Sequence, residues 1–108
     1  MEEKVETVLR KLGITARYKG HEYIQSAYRL IEKDEELLTG VTILLYPEIA
    51  KMLHVPEHKV EYNIRTAVMK SWKMNRRFLE EVCGYKLYKA PTNAEFLDSL
   101  LYYVRHMN

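Results

Sequence analysis

The chain has 108 residues, 47% of them hydrophobic and 30% charged, with a net charge of +2 and one cysteine. That is one domain's length, with enough burial to fold unaided, and the lone Cys83 excludes a disulfide framework or a cysteine-rich zinc site. No apolar run reaches the roughly 18–20 residues of a membrane span, and the start Met1-Glu2-Glu3-Lys4-Val5 lacks the basic-then-apolar order of a signal peptide, so the expectation is a soluble, cytoplasmic, single domain over residues 1–108.

Helical spacing dominates the pattern. Val5, Val8, Leu9 and Leu12 recur at three and four residues, and Gly13 follows where a C-terminal cap glycine belongs. Residues 14–19 read as a connection ending at Gly20, and a second helix is expected from about His21 to Lys33. Residues 34–38 add a turn of helix that Thr39-Gly40 should break. Residues 41–46 are β-branched enough for a strand, but no partner strand is in sight to pair its backbone. They are read as the lead-in to a third helix, where Pro47 suits the first turn.

That helix is short, and His54-Val55-Pro56 stops it. The next looks long: Val60, Ile64, Ala67, Val68 and Trp72 trace one apolar face to about Lys73. Residues 76–83 form a brief amphipathic helix closed by Gly84. The last helix opens on Thr92 with Glu95 three residues on, the two partners of a capping box. The expected fold is all-α, a bundle of about six helices.

Residues 46–68 fit a helix-turn-helix. Such a motif packs two helices through a small residue early in the first, with apolar positions on both. Ala50 is the small residue; Ile49, Leu53, Val55, Val60 and Ile64 are the apolar ones. His54 stands at the turn in place of the favoured glycine, and histidine is enriched at positive φ. The charge distribution points the same way. Residues 58–77 carry six Lys/Arg against Glu61 alone, while residues 1–57 and 78–108 are net negative. A local positive field on a near-neutral body suits an anionic partner.

With its apolar face turned inward, the second helix of the motif, about 57–73, presents His58, Lys59, Glu61, Tyr62, Arg65, Thr66 and Met69 on the other side. Arg65 suits the two acceptors of a guanine edge. Glu61, one turn earlier, suits a cytosine amino group or an ion pair that orients Arg65. Tyr62 suits a thymine methyl or a phosphate, and Thr66 completes the base-facing set. Lys51, Lys59, Lys70, Lys73, Arg76 and Arg77 are placed for phosphates, which position a protein without reading sequence.

Several strings fall in one order: Tyr18-Lys19-Gly20-His21-Glu22-Tyr23, Leu45-Tyr46-Pro47-Glu48-Ile49-Ala50-Lys51, Val60-Glu61, Ile64-Arg65 with Ala67, Trp72, Gly84-Tyr85 and Pro91-Thr92-Asn93-Ala94-Glu95-Phe96. Together they resemble the C-terminal DNA-binding domain of the master response regulator of sporulation initiation in endospore-forming bacteria, over nearly the whole chain. The resemblance implies a six-helix fold with a helix-turn-helix. It also implies binding to double-stranded DNA at a T-G-T-C-G-A-A-like element, and pairing of two domains on tandem sites. In that family a receiver domain precedes this one, and the region after the recognition helix, here residues 73–84, touches the RNA polymerase sigma subunit.

Two departures stand out. Tyr62 and Thr66 replace an arginine and a histidine of the family's recognition helix, which should weaken or change sequence choice. No receiver domain is present in the 108 residues, and the reading leans toward a stand-alone gene product. An enzyme is not expected, because His21, His54, His58, His106 and Cys83 show no metal-ligand spacing and no phosphate loop or catalytic triad order appears. Neither a cofactor nor a metal is called for. The competing reading is a protein-interaction module that kept the fold without specific DNA binding. It would use Arg76, Arg77, Glu80 and Glu81, all expected to be exposed, with Tyr102, Tyr103 and Met107 as a dimerising surface.

Overall fold

The apolar spacing becomes six α-helices in the computed structural model, which describes residues 1–107. They are α1 (Glu2–Lys11), α2 (Lys19–Lys33), α3 (Tyr46–Leu53), α4 (Glu57–Met74), α5 (Arg76–Cys83) and α6 (Asn93–Arg105). No strand occurs among the described residues. Each helix sends its apolar stripe into one core, from Leu9, Ile24 and Ile49 through Ile64 and Leu79 to Phe96. α2 is the central element, packed on α1, α3 and most extensively on α4. The fully buried Tyr28 ties it to α6 by donating to the Leu97 carbonyl at 2.6 Å, and burial holds the phenol pKa well above its ordinary value.

The helix ends are built as the sequence suggests. Gly13 follows α1 at φ 86°, a conformation that costs a glycine little. Thr92 Oγ1 accepts from Glu95 N at 3.1 Å and Glu95 Oε1 from Thr92 N at 2.8 Å, the full capping box. Asn75 performs two jobs between α4 and α5. Its Oδ1 accepts from Phe78 N at 3.2 Å, and its Nδ2 donates to the Lys11 carbonyl at 3.0 Å.

Two expectations need correction. Gly20 does not end a connection; α2 begins at Lys19 and Gly20 lies in its first turn. A Cβ at that position would stand 2.5 Å from the Asn63 carbonyl oxygen and 2.6 Å from Ala67 Cβ. The glycine is therefore a close-packing residue that lets α2 touch the backbone of α4. Thr39-Gly40 does not break the chain out of helix either. Asp34 Oδ1 accepts from Glu36 N and starts a 3₁₀ segment, Glu35–Gly40, which passes directly into a π-helical one, Val41–Leu45, and so into α3. The wider winding turns Val41 and Leu45 inward and leaves Ile43 and Leu44 exposed.

Candidate nucleic-acid interface

α3, residues 54–56 and α4 fit a helix-turn-helix. Pro47 occupies the first turn of α3, Ile49 and Ala50 are buried, and α3 packs on α4. α3 ends where His54 adopts φ 57°, ψ 46°, the left-handed region that the sequence assigned to it. Val55 N then donates to the Ala50 carbonyl at 3.0 Å, which closes the turn. Pro56, at φ −67° and ψ 149°, is the N-cap of α4, so the helix proper starts at Glu57. Val60, Ile64, Ala67 and Val68 are almost completely buried and fix which side of α4 faces out.

That outer side carries His58, Lys59, Tyr62, Arg65, Thr66 and Met69 as exposed residues, with Glu61 half-buried at its edge. Arg65 Nη1 lies 2.9 Å from Glu61 Oε1, an (i, i+4) pair, and its side chain remains 57% exposed. The guanidinium also sits 5.9 Å from the centre of the Tyr62 ring. Glu61, Tyr62 and Arg65 are thus one cluster, with the arginine lying between a carboxylate and an aromatic face on the outer side of α4. Thr66 is different. Its hydroxyl donates back to the Tyr62 carbonyl at 2.9 Å, so its methyl is the group left to face outward.

The sequence reading missed Asn93. At the first residue of α6, its Nδ2 donates to Tyr46 Oη at 2.8 Å and to the Glu61 carbonyl at 3.1 Å. One carboxamide therefore joins the starts of α3 and α6 to the second turn of α4. Burial pushes the Tyr46 phenol pKa up, opposed by the bond from Asn93. Asn93 and Tyr46 were visible only as members of the two family strings; nothing in their spacing announces a bond across 47 residues.

The six cations divide into three groups. Lys51 on α3, Lys59 and Lys73 on α4 and Arg77 on α5 are exposed. Lys70 is half-buried, its Nζ 5.3 Å from the centre of the Tyr18 ring. Arg76 is occupied within the fold: it stacks 4.3 Å over Trp72, lies 3.6 Å from Glu80 and donates to the Leu87 carbonyl. Glu80 is likewise engaged, accepting from Leu87 N at 2.7 Å. It is half-buried, which corrects the expectation of an exposed Glu80. Together Arg76 and Glu80 satisfy both backbone groups of Leu87, the residue by which the irregular stretch 85–90 enters the core. Near the terminus, Tyr103 packs edge-on against Phe78 and donates to Glu81, whereas Tyr102 is exposed and stacks on His106.

Among the described residues, no group of three His, Cys, Asp or Glu side chains is placed to hold a metal ion. No helix among the described residues is long and apolar enough to cross a membrane. Cys83 is half-buried, and burial pushes its thiol pKa up, away from the reactive thiolate. A family model described as Sporulation initiation factor Spo0A C terminal matches residues 5–104.

Proposed function

Because the chain belongs to the Sporulation initiation factor Spo0A C-terminal family, we propose that it is a sequence-specific DNA-binding transcription regulator with α4 as its recognition helix. The observation that carries this reading is the uncovered face of α4, where Glu61, Tyr62, Arg65 and Thr66 stand together over a fully buried inner stripe. An α-helix fits the major groove, and an exposed, oriented arginine suits the paired acceptors of guanine. In this reading Glu61 orients Arg65, while Tyr62 and the Thr66 methyl meet thymine methyls. Lys51, Lys59, Lys70, Lys73 and Arg77 meet phosphates. Arg76, already committed to Trp72, Glu80 and Leu87, is reassigned to holding the fold. Pairing on tandem sites and contact with the polymerase sigma subunit belong to the same proposal.

The test begins with selection of bound duplexes from a random pool. On the selected site Arg65→Ala should cost about 1–3 kcal/mol and relax preference at one base pair, whereas Lys73→Ala should weaken all sequences alike. Tyr62→Arg should tighten binding to the T-G-T-C-G-A-A-like element more than to a scrambled duplex. An Arg65→Ala variant that binds the selected site as the parent does would refute the assignment of α4.

A further inference from the structure

We propose a flanking phosphate site at the edge of the helix-turn-helix: the groove between Tyr18 and the C-terminal half of α4, which grips the DNA backbone beyond the base pairs that α4 reads. The proposal rests on the DNA-binding reading above and extends the interface to the segment that opens α2.

The groove is an open recess of about 380 Å³ lined by Tyr18, Arg65, Thr66, Met69, Lys70 and Lys73. Three of its six lining residues are cations and none is a carboxylate, so its field is positive. Arg65 shares its charge with Glu61 at the groove's edge, as Arg29 does with Glu2 and Arg105 with Glu35. Lys70 instead rests on the face of the Tyr18 ring, which orients an ammonium without cancelling its charge. Arg17 and Lys19, on either side of Tyr18, are exposed. Neither makes an ion pair among the described residues.

Position supports the same ligand. Lys70 and Lys73 lie five and eight residues beyond Arg65, about 8–12 Å further along the helix axis at 1.5 Å per residue. With Arg65 at the base edges, that distance leads to the sugar-phosphate wall of a groove roughly 12 Å wide. The Tyr18 segment cannot drift from that wall, because Gly20 seats the first turn of α2 directly on Asn63 and Ala67. Tyr18 is a positioning residue for Lys70 in this scheme, its phenol a neutral donor, and Arg17 and Lys19 add charge along the strand.

The experiment compares two duplexes: the selected site with several flanking base pairs on each side, and the same site trimmed to its core. Binding is measured over a salt series for the parent, Arg17→Ala/Lys19→Ala, Tyr18→Ala and Arg65→Ala. On the long duplex the double variant should lose about 5–20-fold in affinity and its salt slope should fall by roughly one to two, as expected for one or two lost phosphate contacts. Tyr18→Ala should lose about threefold. On the trimmed duplex both should match the parent, while Arg65→Ala is impaired on both. Should Tyr18→Ala fail to fold, the surface double variant carries the test alone. Parent-like binding of the double variant to the long duplex would overturn the flanking site, as would an equal loss on both duplexes. If Arg65→Ala also had no effect on either duplex, the recognition-helix reading itself would have failed.

Discussion

Gly20→Ala sets helix propensity against packing, and the structure says which wins. Alanine is favoured over glycine in a helix by about 1 kcal/mol at most, so propensity alone predicts a gain. The new Cβ, however, would lie 2.5 Å from the Asn63 carbonyl oxygen, where ordinary contact begins near 3.4 Å. The first turn of α2 must then retreat from α4 by ~0.9 Å, and the obstacle is backbone, which cannot rotate away. Overpacking costs roughly 1–3 kcal/mol, and a clash with backbone belongs in the upper part of that range, about 2–3 kcal/mol. The net expectation is a loss of about 1–2 kcal/mol, read as a fall in Tm of roughly 4–10 °C by circular dichroism. Ala67→Gly should not rescue it, because that change removes the 2.6 Å contact while leaving the Asn63 carbonyl in place and adds a glycine inside α4. A Gly20→Ala variant as stable as the parent, or more so, would refute the claim that α2 is seated on the α4 backbone. Rescue by Ala67→Gly would shift the limiting contact to Ala67.

Asn93→Ala removes the donor shared by Tyr46 and the Glu61 carbonyl and should cost about 1–2 kcal/mol in urea unfolding. Tyr46→Phe, which breaks only one of the two bonds, should cost less; the reverse order would discount the Glu61 link. Tyr28 predicts an alkaline limit. Its folded pKa is raised, so its stabilisation is complete below the unfolded tyrosine value of about 10 and is lost as pH climbs above it, by about 1.4 kcal/mol per pH unit. Tyr28→Phe should therefore be less stable than the parent at neutral pH, yet decline more slowly between pH 10 and 11. Parallel decline of the two in urea midpoints would show that Tyr28 does not titrate with unfolding.

The sequence by itself determined the features that depend on neighbours along the chain. A capping box needs two residues three apart, a left-handed turn needs a residue that tolerates positive φ, and an apolar stripe needs only spacing. Thr92 with Glu95, His54, and the inner face of α4 therefore stand where the pattern puts them. The outward placement of Tyr62, Arg65 and Thr66 follows from that same stripe, because a helix with one buried side has only one side left to present. Tertiary structure decided what depends on residues far apart in the chain. Gly20 reads locally as a helix breaker and is instead the place where two helix backbones meet. Arg76 and Glu80 read as surface charges until the backbone of Leu87, 11 and 7 residues on, turns back to them. Asn93 reads as an ordinary helix-start residue until the fold brings Tyr46 and Glu61 to its carboxamide. Spacing along one helix is a local quantity; the partner of a polar side chain is set by how the helices cross, and no single segment contains that information.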